Sequence, residues 1–106
     1  MEENTFVPGY MPDLMIDCYG HVTPMFMDPE NPQRWTKKRL CNKIGGNATF
    51  VELDSEHIMV YDLEGNDGTT PLNGCGTFIL QLFHYPDWAV FGNVIICHKE
   101  HCDFRK

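Results

Sequence analysis

Hydrophobic and polar positions along the chain predict four strands. Apolar residues alternate with other residues in the first strand. A short polar link separates the second strand from the third, which indicates a hairpin. The last strand is a continuous run rich in Val and Ile, which is typical of a central strand buried on both faces. The predicted strands are Asp13–Tyr19, Asn47–Asp54, His57–Leu63 and Ala89–Cys97.

One segment carries clear signals for both ends of a helix. Asn31 followed by Pro32 is typical of a helix start, since Asn caps free N–H groups and Pro lacks one. Gly45 supplies a residue suited to the left-handed conformation that ends many helices. The pattern therefore predicts a helix from about Pro32 to Ile44, with Lys43 in its last turn, where a cation suits the helix dipole.

The remaining segments complete a small domain. Residues 1–12 contain Pro8, Gly9 and Pro12 and predict a flexible arm, and residues 20–30 with two prolines predict a loop. Residues 77–83 are nearly all apolar and fit a strand or a helix equally well. We expect one α+β domain over residues 13–106, with a small mixed or antiparallel sheet of about four strands and one main helix on one face.

Charge is unevenly distributed along the chain. The net charge is −7, yet five of the eight basic residues fall between positions 34 and 43, and the other segments hold all 15 acids with three bases. The overall charge disfavours duplex nucleic acid and anionic membranes as partners. No apolar run approaches the length of a membrane span. Five cysteines with no basic, apolar leader indicate reduced thiols and a cytoplasmic location.

The order of several short motifs between Leu40 and Cys97 resembles an uncharacterised family of bacteria, phages and plasmids, domain of unknown function 3846. The resemblance implies an α+β architecture and an accessory role on a phage or mobile element, and it names no activity. The chain departs from the family after the Pro-x-Asn motif, where members tend to carry basic residues and this sequence has small ones. The motifs are Gly45-Gly46, Glu52, Glu64-Gly65, Pro71-Leu72-Asn73 and Gly92, and the departure is Gly74-Cys75-Gly76.

The basic helix is the main candidate for a binding surface. Arg34, Lys37 and Lys38 are spaced to share one helix face, with Arg39 and Lys43 nearby. We predict a non-catalytic binding module that engages an acidic protein partner through this helix and needs no cofactor. The alternative is a binder of a small phosphorylated or nucleotide-like ligand, which would use the same cations and Asn73. An exposed sheet edge also leaves homodimerisation open.

Two further chemistries compete with this interpretation. Cys18, His21, Cys97 and His101 would supply four zinc ligands if the first and last strands are neighbours, although alternation directs Cys97 and His98 to opposite faces. Cys75 lies between two glycines and would need a histidine such as His84 to act as a nucleophile. No motif places these residues together, so the sequence favours neither a metal site nor an enzyme.

Overall fold

The computed structural model describes residues 12–25 and 35–104, which form a five-stranded antiparallel sheet between two helices. The spatial order of the strands is β2-β1-β6-β5-β4, and a short parallel pair, β3 and β7, lies beside the sheet. A small α+β fold was predicted and is confirmed, with a second helix and more strands than expected. The elements are β1 (Asp13–Ile16), β2 (Val22–Met25), β3 (Trp35–Thr36), α1 (Lys37–Ile44), β4 (Ala48–Glu52), β5 (His57–Asp62), α2 (Gly74–Leu82), β6 (Val94–His98), a 3-10 turn (Lys99–His101) and β7 (Cys102–Asp103).

Each face of the sheet packs against one helix. Alternation along β5 sends Ile58 and Val60 toward α1, and Met59 toward α2. Leu40 of α1 and Leu80 of α2 are both fully buried in these two separate clusters. The strand β6 is central and contributes buried residues to both, which confirms the interpretation of its Val/Ile run. The two helices therefore lie on opposite faces and present independent outer surfaces.

The helix α1 ends as predicted and begins later than predicted. The N–H of Gly45, at φ 74°, donates to Cys41 O and closes the C-terminus. At the other end, Thr36 accepts from the N–H of Arg39, so the helix starts at Lys37. Trp35 and Thr36 form β3 instead, because they pair with Cys102 and Asp103 of β7. These partners are distant in the sequence, so the local residue pattern does not reveal the pairing. The predicted cap, Asn31-Pro32, lies outside the described residues.

The strand β2 contradicts the predicted loop over residues 20–30 at positions 22–25, and residues 26–30 lie outside the described residues. Pro24 lies within this strand, opposite Leu14. The proline is tolerated because β2 is an edge strand, and the outer side of an edge strand needs no N–H donor. The first strand is correspondingly shorter than predicted. It ends at Ile16 because the carboxylate of Asp17 accepts from the N–H groups of Tyr19 and His21 and forms a turn.

The apolar segment after Asn73 is a helix, which resolves the ambiguity over residues 77–83. Asn73 caps it through a hydrogen bond from Gly76 N to Oδ1 (2.8 Å). Gly76 faces the sheet, where an added Cβ would lie 3.0 Å from Val90 Cγ2, so this glycine allows the helix to approach closely. The last strand is shorter than predicted, since only Val94–His98 pair, and residues 89–93 form an irregular approach with one isolated bridge at Phe91.

Candidate functional site

Three lysines form an exposed basic surface on α1, which we call the lysine surface: Lys37, Lys38 and Lys43. Within the described residues, none of the three makes an ion pair with a carboxylate. Arg39 differs from them, since its guanidinium carbon lies 4.7 Å from the centroid of the Trp35 ring and is partly covered. Arg34, the remaining predicted member of this set, lies outside the described residues. The lysine surface is therefore available to a partner.

The positive charges in the first turn of α1 interact unfavourably with the helix dipole. Lys37, Lys38 and Arg39 occupy the first three helical positions, and this turn contains no acidic residue. The N-terminus of a helix has partial positive charge, so cations there are unfavourable, whereas Lys43 in the last turn is favourable. For Lys37 and Lys38 this position costs stability, and no carboxylate among the described residues pairs with either lysine.

Asn73 has a structural role, and its side chain is not accessible to a ligand. Its side chain has no exposed surface. Besides capping α2, its amide nitrogen donates to Ile16 O (3.0 Å) and Gly92 O (2.8 Å), so both side-chain N–H groups are used inside the protein. The bonds to Ile16 and Gly92 connect positions that are far apart along the chain.

The four residues considered for zinc do not converge. The strands β1 and β6 are neighbours, as that hypothesis required. However, Cys18 and His21 follow the end of β1, whereas His101 contacts Asp13 at its start, and Cys97 is fully buried. Among the described residues, no group of three or more Cys, His, Asp or Glu side chains has the geometry of a metal site. The zinc alternative is therefore wrong for this arrangement.

Asp13 is a buried carboxylate at the centre of a hydrogen-bond network that sequence reasoning missed. It accepts from Trp35 Nε1 (2.8 Å) and His98 N (2.9 Å), and His101 Nδ1 lies 2.9 Å from its Oδ2. Only 1% of its surface is exposed. These bonds join β1 to β6, to β3 and to the 3-10 turn. Such a satisfied buried carboxylate orders the fold around it.

Cys97 lies against the same network. A hydrogen bond with Cys102, followed by burial and the nearby Asp13 carboxylate, raises the pKa of the Cys97 thiol far above its usual range. The group is therefore held as a thiol, which is a poor nucleophile. Cys75 is exposed at the first turn of α2, and His84 lies beyond the last turn, so this pair is separated by the length of the helix. Neither cysteine has the arrangement of a catalytic nucleophile.

Three histidines form a row along one end of the sheet. Ring centroids are 4.8 Å apart for His57 and His98, and 4.8 Å apart for His98 and His101. Asp54 flanks the row at one end through His57 Nδ1 (3.0 Å), and Asp13 flanks it at the other. Hydrogen bonds from Glu56 N and His57 lower the pKa of Asp54 and keep it ionised. Within the described residues, no hydroxyl or thiol hydrogen-bonds to these rings.

A cleft beside α2 is lined mainly by apolar side chains, and we call it the sheet cleft. It has a volume of about 330 Å³. Its floor comes from β1 and β6, one wall comes from α2, and Asp54 and His57 lie at one end. The apolar lining residues are Leu14, Ile16, Leu53, Ile79, Phe83 and Ile96. None of the predicted binding residues that the structure describes, the lysine surface included, borders it.

Comparisons with family models, with curated proteins and with solved structures found no match for this chain. The resemblance to domain of unknown function 3846 therefore stays a prediction. The longest helix of the described residues, Gly74–Leu82, has nine residues, and none of their helices is long and apolar enough to cross a membrane.

Proposed function

We propose that this protein is a non-catalytic binding module that contacts an acidic protein surface through the lysine surface of α1. The observation that carries the proposal is the pair Lys37 and Lys38 in the first turn. Stability alone favours acids at these positions, since the helix dipole repels cations there. Residues that break a local rule without structural compensation are expected at functional sites.

The uneven distribution of charge supports an acidic protein partner that approaches the lysine surface. The chain is strongly acidic overall, at −7, so an acidic partner is repelled except where the lysines face it. Such a contact is oriented, because the lysine surface attracts the partner while the net negative charge of the chain repels it, and complementary charge contributes to specificity and association rate.

A small phosphorylated ligand is supported less well. That alternative combined the cations with Asn73 as a polar contact, and Asn73 is fully buried beneath α2, on the other side of the sheet from α1. The exposed lysines lie on an open helix face, and no described cavity lined by them encloses a ligand. An open face suits an extended protein surface better than a small molecule.

The test is binding of a fluorescent Glu-rich peptide, followed by anisotropy at low salt. The double variant Lys37→Gln/Lys38→Gln should weaken binding by about tenfold, because two attractive charges are removed. Added salt should weaken wild-type binding through screening. Inorganic pyrophosphate serves as the competing small anion, and tight pyrophosphate binding with no peptide binding would favour the phosphorylated-ligand alternative.

Lys99→Gln is the matched control, because it also removes one positive charge but does so outside α1. Lys99 pairs with Glu52 through a 3.1 Å contact and lies outside α1. It should change peptide affinity by less than either α1 substitution. Equal weakening by Lys99→Gln and Lys37→Gln would mean that net charge, and not the α1 surface, determines binding.

The biological setting belongs to the same proposal. A cytoplasmic location is supported by the cysteine content and the predicted reduced thiols. An accessory role on a phage or mobile element rests on the resemblance alone. A pull-down with the natural host's lysate should lose its acidic partner when Lys37 and Lys38 are reversed to Glu.

A further inference from the structure

Two cysteines lie together on the α1 side of the sheet. Cys97 of β6 is fully buried, whereas Cys102 at the start of β7 is partly exposed. A hydrogen bond joins the two thiols, and Cys102 packs against the apolar cluster to which Cys97 belongs. Because their sulfurs lie within hydrogen-bonding distance, the two side chains are close enough to be joined by a disulfide.

The fold fixes the position of Cys102 relative to Cys97. His98, next to Cys97, donates its N–H to Asp13 Oδ1 (2.9 Å). His101, next to Cys102, places its Nδ1 2.9 Å from Oδ2 of the same buried carboxylate. Both ends of the turn between the cysteines are therefore anchored on one residue, which keeps the two thiols together in the folded protein.

Cys102 is the member of the pair that an oxidant reaches from solvent. Its side chain lines a concavity of about 240 Å³ together with Phe50, Ile58 and Phe104. Cys97 does not line this concavity and has no exposed surface. Accessibility is one of the properties that make a cysteine susceptible to oxidation, so the two thiols differ in their exposure to an oxidant.

We propose that Cys97 and Cys102 are a redox-active pair, which a hydroperoxide converts into an intramolecular disulfide. An accessible thiol next to a resolving thiol is typical of cysteines that sense oxidants. Cys102 meets the oxidant, and Cys97 resolves the product. The hydrogen bond with Cys102 and burial hold the pKa of Cys97 far above its usual range, so Cys97 remains a thiol until its neighbour has reacted.

The reaction consumes one hydroperoxide for each disulfide. With hydrogen peroxide, the Cys102 sulfur attacks one oxygen, the O–O bond breaks, and the leaving hydroxide takes the thiol proton, so that water and a sulfenic acid form. The Cys97 sulfur then attacks the Cys102 sulfur, the S–O bond breaks, and the hydroxide leaves as water with the proton of Cys97. The two thiols together lose two electrons and two protons, and the peroxide is reduced to two water molecules.

The disulfide would tie together several elements on the α1 side. It would close a ring of six residues across the 3-10 turn and join β7 covalently to β6. The strand β7 pairs with β3 through Cys102 and Trp35, and β3 leads directly into α1. Oxidation should therefore restrain the segment that carries the start of α1.

The other three cysteines have different surroundings. Cys18 Sγ donates to Pro71 O (3.5 Å), and Cys41 Sγ accepts from Ala48 N (3.3 Å). Cys75 lies on α2, which packs on the opposite face of the sheet. These positions predict that the disulfide of the proposed pair forms in preference to any other.

The test is cysteine mapping of the folded 106-residue chain after treatment with hydrogen peroxide. The remaining thiols are alkylated in denaturant, and the chain is digested with trypsin, which cleaves after Lys99 and so separates Cys97 from Cys102. Mass spectrometry should find these two peptides joined, at a yield at least about tenfold above that of any other cysteine pair, because the fold holds the two thiols together. Dithiothreitol should separate them.

Cys75→Ser is the matched control, because Cys75 is exposed and shares a tryptic peptide with Cys97. The joined peptides should persist in this variant. Cys102→Ser should abolish them and leave Cys97 as a thiol that is alkylated in denaturant.

Three results of the wild-type mapping would overturn the proposal, whether or not the variants fold. One is an even spread of disulfides over the five cysteines. Another is oxidation of Cys102 to the sulfinic acid without a disulfide, and the third is a pair that stays reduced while Cys75 is oxidised. The result is independent of the function proposed for α1, since no variant changes a lysine.

Discussion

The two helices pack on the same sheet and expose opposite chemistries. α1 buries Leu40 and Ile44 and presents lysines to solvent, whereas α2 buries Gly76 and Leu80 and presents Phe78 and Leu82. Each exposed set is unfavourable for an isolated domain, one through the helix dipole and the other through hydration of apolar surface. The two helices therefore give the molecule two chemically different outer surfaces, one charged and one apolar.

Each helix is also tied to the sheet by one buried polar side chain. Asp13 holds the segment that leads into α1 through Trp35, and Asn73 holds the start of α2. These anchors allow the two sides of the molecule to be weakened separately.

The largest effect should come from Asp13→Ala. Loss of the carboxylate leaves Trp35 Nε1, His98 N and His101 Nδ1 without their buried acceptor. The free energy of unfolding should fall by about 3–5 kcal/mol, as it does when one member of a buried polar network is removed. Urea denaturation monitored by Trp fluorescence measures this. A loss below about 1 kcal/mol would show that the network is replaceable by water.

Asn73→Ala should weaken the α2 side by a smaller amount. The substitution removes the helix cap and leaves the buried carbonyls of Ile16 and Gly92 with one hydrogen bond fewer. We expect a loss of about 2–3 kcal/mol by the same urea assay. Asn73→Asp keeps the cap acceptor and loses the two donors, so it separates the two contributions. Equal stability of Asn73→Ala and wild type would contradict the structural role.

Charge reversal in the first turn of α1 should raise the free energy of unfolding, whereas the two substitutions above lower it. Lys37→Glu and Lys38→Glu each place a carboxylate where the helix dipole attracts it, so each should raise the free energy of unfolding by about 0.3–1 kcal/mol at low salt. Lys43→Glu, in the last turn, should lower it. Thermal denaturation of the three single variants at low and high salt measures this. A common direction for all three would rule out the helix dipole as the cause.

Acid should loosen the turn that leads to α2. Hydrogen bonds from the N–H groups of Thr69 and Thr70, with the Thr69 hydroxyl, hold the pKa of Asp67 well below its usual range. Because this pKa is lowered by folding, the turn adds stability above the unfolded value of about 3.9 and loses it as pH falls through the folded pKa. Asp67→Asn should therefore lose less stability than wild type between pH 5 and pH 2. An equal loss of stability in Asp67→Asn and wild type over this pH range would contradict the prediction.

The α1 side was predicted from sequence better than the α2 side. Gly45 marked the end of α1, and the hairpin of β4 and β5 followed from alternation and a polar link. The apolar segment of α2 has no such periodicity, because apolar residues lie on its buried face and on its exposed face alike. The strand β2 was missed because Pro24 argues against a strand everywhere except at an edge.

The anchors and the sheet cleft could not be inferred in the same way. Asp13 bonds to residues 22, 85 and 88 positions away, and nothing near it in the sequence marks it as buried. Asn73 was predicted to contact a ligand, whereas its side chain bonds to Ile16 at the end of β1 and to Gly92 in the irregular segment before β6. Lysine clustering was visible in the sequence, whereas its conflict with the helix dipole required the observed start of α1 at Lys37.

The most direct test of the central claim is to measure stability and peptide affinity on one variant, Lys37→Glu/Lys38→Glu. If the first-turn lysines serve binding at a cost to the helix, the free energy of unfolding should rise by about 0.6–2 kcal/mol while affinity for the Glu-rich peptide falls by more than about tenfold. A variant that is less stable than wild type, or one that binds the peptide as well as wild type, would contradict the account.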